Sequence, residues 1–163
     1  MEELADYLND HLAGSVAAVE LLDRLIAEKP SLEPFLRELR SEIEADGVTL
    51  KELMNRLGLE ESPIRKAGAW ILEKFSRVKM PLGKGPGGEL GLFLAFESLA
   101  LGINGKKLLW RALAAASKSA PELRGADYTR LERRAESQWD LVEVRRLQIA
   151  QKIFREDSEK LSA

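Results

Sequence analysis

Leu8-Asn9-Asp10-His11-Leu12-Ala13-Gly14-Ser15 holds the chain's single histidine, and its inward residues recur at helical spacing. Extended both ways, the pattern predicts a helix over 3–28 with the stripe Leu4, Leu8, His11, Ser15, Val19, Leu22 and Ile26. Pro30 ends it, because proline donates no amide and its ring clashes with the preceding turn. Ser31 is read as the N-cap of a second helix over 32–57, which presents Leu32, Phe35, Leu36, Leu39, Ile43, Asp46, Leu50 and Leu53 and closes with Gly58 in the C′ role. So short a link between two long helices makes them an antiparallel pair.

Ser62-Pro63 is a further helix start, followed by the amphipathic stripe Ile64, Gly68, Ile71, Phe75 and Val78. The glycines and prolines of 81–88 then require a loop. A third long helix is expected over 89–117. Gly102 and Gly105 each cost roughly 1 kcal/mol in its interior, but two apolar faces argue for continuity through them. One face carries Leu90, Leu94, Leu101, Leu108 and Ala112, the other Leu92, Phe96, Leu99, Ile103 and Trp110. A helix apolar nearly all round is covered on both sides, by the bundle and by either the crossover helix or a second subunit; a homodimer is expected, with Phe96, Leu99, Ile103 and Trp110 as its interface. The fourth helix, capped by Asp127 and running to about 157, turns Leu131, Ala135, Gln138, Val142, Arg145, Ile149 and Ile153 inward. No stretch alternates with period two, so the chain reads as all-α.

At 163 residues and 45% hydrophobic, the chain is read as one domain over 1–163. Lacking cysteine, it has no disulfide, iron–sulfur cluster or thiolate zinc site, and a reducing, cytoplasmic location is expected. The acidic start Met1-Glu2-Glu3 is unlike a signal peptide, and no apolar run reaches the ~20 residues of a membrane span. Arg65, Lys66, Lys74, Arg77, Lys79 and Lys84 make 63–88 basic, and are read as a solvated face beside the acidic first hairpin rather than a nucleic-acid site.

Two antiparallel pairs joined by a long crossover that carries its own short helix resemble the ferritin-like fold, an up-down-down-up four-helix bundle. The stretch from Leu8 to Ser15 resembles that family's first helix, with Ser15 where the family places its first metal-binding glutamate. The resemblance implies a di-iron or di-manganese site built on two Glu-x-x-His pairs. Counting levels across the links puts those pairs on Ile43-x-x-Asp46 and Val142-x-x-Arg145, which retain neither motif. One histidine cannot furnish two imidazoles, so the metal site is expected to be lost.

What remains inward is a polar set of His11, Ser15, Asp46, Glu97, Gln138 and Arg145. Ser15 is expected to hydrogen-bond Asp46, and Arg145 to neutralise Glu97, with Asp46 as its second candidate partner, in place of a metal, since a guanidinium offers a fork of donors to a carboxylate. The less specific alternative has Gln138 as the inward polar residue of the fourth helix, with Arg145 reaching to water. Glu20, Glu42 and Glu136 are read as surface acids. No catalytic arrangement emerges, and the expected role is that of a binding or structural module. Its rival is a carboxylate-rich iron or manganese protein, or a di-iron-type oxidoreductase, using His11, Asp46 and Glu97. A carrier for a small apolar molecule is a third reading, with no sequence feature in its favour.

Overall fold

The computed structural model describes residues 2–61 and 88–161, with side chains as far as 155. Among these residues the long elements are all helices: α1 (Glu2–Glu28), α2 (Glu33–Arg56), α3 (Gly88–Ala116) and α4 (Tyr128–Leu161). One-turn 3-10 segments at Pro30–Leu32 and Pro121–Leu123 link the pairs, and no described residue is in a strand. The helix expected after Ser62-Pro63, the glycine-rich loop as far as Gly87 and the basic cluster lie in 62–87, outside the described residues.

Most helix ends follow from their local chemistry. At the end of α2 the Leu59 amide donates to the Met54 carbonyl (3.0 Å) and the Gly58 amide to that of Asn55 (3.1 Å), the paired bonds of a Schellman cap. That cap requires φ = +68° at Gly58, a left-handed conformation that costs a side chain about 1–2 kcal/mol. Asp127 caps α4 by accepting from the Arg130 amide at 3.0 Å. Ser31, by contrast, is not a cap: the chain enters α2 through the 3-10 turn, where the Leu32 amide donates to the Lys29 carbonyl (2.9 Å) and the Glu33 amide to that of Pro30. Those bonds and the amide-free Pro34 leave the serine hydroxyl little to serve.

Inside, α2 buries the stripe read from its sequence, from Leu36 to Leu53. The stripe of α1 is rotated slightly: Leu12, Leu21 and Leu25 are buried, while Val19 and Ile26 are half-buried at its edge. α3 is unbroken through Gly102 and Gly105, but its two faces exchange the roles expected of them. Phe96, Leu99, Ile103 and Trp110 are buried within the chain and form no interface. Phe96 stacks on Phe35 with centroids 6.3 Å apart, and Trp110 on Tyr128 at 6.4 Å. Turning the aromatic face inward removes the larger apolar area from water. The outer face carries Leu90, Leu101 and Leu108, the last two 64% and 52% exposed.

Lateral contacts set the levels. Arg40 grips Asp23 between α1 and α2 through two bonds of 2.6 and 3.3 Å. At Gly47 a Cβ would stand 2.9 Å from Ser15 Oγ, so the missing side chain lets the two helices close together. Between α3 and α4, Arg111 pairs with Glu132 (2.5 Å), Lys107 with Glu136 (3.9 Å) and Arg146 with Glu97 (3.4 Å).

Candidate functional site

Halfway along α2, Asp46 is 2% exposed, and a carboxylate so far from water needs charged donors on most of its lone pairs. Lys106 of α3 supplies one, its ammonium 2.5 Å from Oδ2, and Arg134 of α4 supplies another to Oδ1. Gln138, itself 1% exposed, sits between them. Its Oε1 accepts from Lys106 at 2.5 Å, and its Nε2 donates to Asp46 at 3.4 Å. Three helices thus meet at one carboxylate. Burial holds the Lys106 ammonium below the usual lysine pKa, and the attraction of Asp46 offsets part of that. Two cations face this one buried anion, and the charge of Glu42 also acts on Lys106.

The cluster forms one wall of a cleft of about 590 Å³ between α1, α2 and α3, open to solvent on one side. The α3 side is a ladder at four-residue steps, Ser98, Gly102, Lys106 and Trp110, and Gly105 stands beside it. A Cβ added at Gly102 or Gly105 meets nothing within 4 Å, and Gly102 is exposed, so both stand on the open side of the cleft. The remaining wall is mostly aliphatic, including Ile43, Leu50, Leu99, Ile103 and Leu109. On the α1 side are Tyr7, His11, Gly14 and Ser15, with the His11 ring edge-on to Tyr7 at a centroid distance of 4.7 Å. Burial lowers the His11 pKa, and the charge of Asp10 opposes the shift. Trp110 adds a second feature: its Nε1–H is buried without an acceptor among the described residues.

The expected polar set is therefore only partly assembled. His11, Ser15 and Asp46 share the cavity, and Gln138 joins Asp46 through the cluster. Ser15, however, donates to the Ile43 carbonyl at 3.4 Å and not to Asp46, whose oxygens are held by the cations and Gln138. The Glu97–Arg145 pair does not form. Glu97 meets the next residue, Arg146, and Arg145 lies 3.6 Å over the Phe35 ring as a cation–π contact. A one-residue offset turns a side chain about 100° around the helix, enough to exchange the two arginines. Glu97 also precedes Lys106 by nine residues, about 14 Å along the axis, so His11, Asp46 and Glu97 do not converge on one ion. Among the described residues no three His, Cys, Asp or Glu side chains form a group that could hold a metal.

The chain matches no family model, no curated protein and no solved structure. The site is read from its own geometry. Two of its members, Lys106 and Arg134, escape a reading of the sequence that looks for carboxylates and imidazoles. The signal for Lys106 is positional: in the stripe Leu92, Phe96, Leu99, Ile103, Trp110, the step between the last two falls on it. A lysine set into an apolar stripe must find a partner or reach water. Among the described residues no helix is long and apolar enough to cross a membrane.

Proposed function

We propose that the chain is a ferritin-like bundle without the dinuclear metal site, and that it serves as a binding module for a small, mostly apolar molecule held between α1, α2 and α3. The cavity is the observation that carries this reading: its volume of about 590 Å³ falls within the ~300–1,000 Å³ of small-molecule sites, and its wall is aliphatic with a few convergent polar groups. The up-down-down-up arrangement is supported by the order of cross-helix partners. From α2 to α3 they ascend together, Phe35 with Phe96 and Asp46 with Lys106, whereas from α2 to α4 they run oppositely, Phe35 with Arg145 and Asp46 with Arg134. Loss of the metal is supported by Ile43 and Val142 standing where the family has glutamates, and by the ammonium and guanidinium on Asp46.

Titration with the neutral fluorophore N-phenylnaphthylamine tests the cavity. Saturable one-to-one binding is expected for the wild type and is lost in Gly102→Leu and Gly105→Leu, which fill the space while leaving the helical circular dichroism intact. Failure to saturate, or binding unchanged in both variants, refutes the cavity reading. Metal analysis of the purified protein tests the other half: stoichiometric iron or manganese that disappears with Asp46→Ala would overturn it. The homodimer is proposed on the outer face of α3, where Leu101, which also reaches the rim of the cleft, and Leu108 stand one heptad apart and a second copy of the same stripe is their self-complement. Sedimentation of Leu101→Glu/Leu108→Glu is expected to show a monomer against a wild-type dimer.

A further inference from the structure

Resting on the proposed cavity reading, we infer that the ligand class is a monocarboxylate with an apolar tail, its carboxylate received by Lys106 and Trp110. Two donors in the cavity wall are incompletely used. An ammonium has three N–H bonds, and those of Lys106 engage Asp46 and Gln138, leaving one. The Trp110 indole N–H, one helical turn further along the same ladder, is buried with no acceptor among the described residues. A buried donor left unmatched is costly, and an acceptor brought by a ligand removes that cost. Donor chemistry sets the sign: a carboxylate supplies the acceptors that both N–H groups lack, and an alkylammonium, which only donates, supplies none. The aliphatic wall around Leu50, Leu99 and Leu109 has no comparable polar demand and suits a hydrocarbon tail.

Calorimetric titration of the full chain with dodecanoate, dodecanol and dodecylammonium, each below its micelle concentration, tests the head group separately from the tail. Dodecanoate is expected to bind at least about tenfold more tightly than dodecanol, and dodecylammonium more weakly than either. Lys106→Met should abolish the preference for dodecanoate over dodecanol. Trp110→Phe, which keeps a ring and removes the N–H, should reduce the preference severalfold. Equal affinities of wild type for dodecanoate and dodecanol, or a preference untouched by both variants, overturns the head-group assignment while the cavity reading stands. Absence of saturable binding by these three and by N-phenylnaphthylamine overturns both.

Discussion

Asp46 and Lys106 are not equivalent partners, and replacing them one at a time should show it. Asp46 is the shared acceptor of Lys106, Arg134 and Gln138, so Asp46→Leu strands a lysine whose side chain is 13% exposed together with a neighbouring guanidinium. Removing one member of a buried charged set in this way costs about 3–5 kcal/mol. Lys106→Met instead leaves Asp46 with Arg134 and Gln138. It forfeits one charge-assisted bond of about 1.5–3 kcal/mol and relieves the burial that depresses the lysine pKa, for a net loss of about 1 kcal/mol. In Asp46→Leu/Lys106→Met, Arg134, already 27% exposed, can turn to water, so the double variant should be more stable than Asp46→Leu alone. Urea unfolding followed by helical circular dichroism resolves these differences, since about 3 kcal/mol shifts the midpoint by 1 M or more at usual slopes. The wild type should also gain stability relative to Lys106→Met as pH rises from the lowered folded pKa toward 10.5, because in that window the unfolded chain holds more protons. An Asp46→Leu cost no greater than that of Lys106→Met, or losses that simply add, would refute the shared-acceptor account.

Gly102→Ala and Gly105→Ala should each stabilise the protein by about 0.5–1 kcal/mol, raising Tm by roughly 1–4 °C, because helix propensity improves and the new methyl has open space. Scanning calorimetry checks this, and a fall in Tm for both would mean the space is filled. Gly58→Ala should cost about 1 kcal/mol through its left-handed φ, seen as a lower urea midpoint. Burial holds the folded pKa of His11 below 6.5, so the unfolded chain takes up the proton first and stability falls as pH drops from 6.5 to the folded value. His11→Gln should therefore lose less stability than wild type between about pH 7.5 and about pH 5, and equal losses would contradict the assigned burial.

The helix ends and the first hairpin were legible because their causes are close in sequence. Gly58, Asp127 and the prolines act on amides within a few residues, and the short link at Pro30 brings Ser15 beside Gly47 without any knowledge of the rest of the bundle. The charged cluster was less legible. Its acceptor was recognised as inward from its place on the α2 stripe, but its donors lie sixty and eighty-eight residues further on. No short link sets their level: α2 and α3 are separated by 62–87, and counting across that distance has no physical basis.

By itself, then, the sequence determined four long helices, most of their ends and the burial of Asp46, since period, caps and apolar stripes are local properties of the chain. Only the tertiary structure decided which face of α3 turns inward, that Lys106 and Arg134 rather than Arg145 answer the buried carboxylate, and that Gly102 and Gly105 line a cleft beside it. These depend on how far each helix is rotated and slid against the others. The stacking of Phe96 on Phe35 and of Trp110 on Tyr128 brings together residues far apart in sequence, which no local pattern specifies.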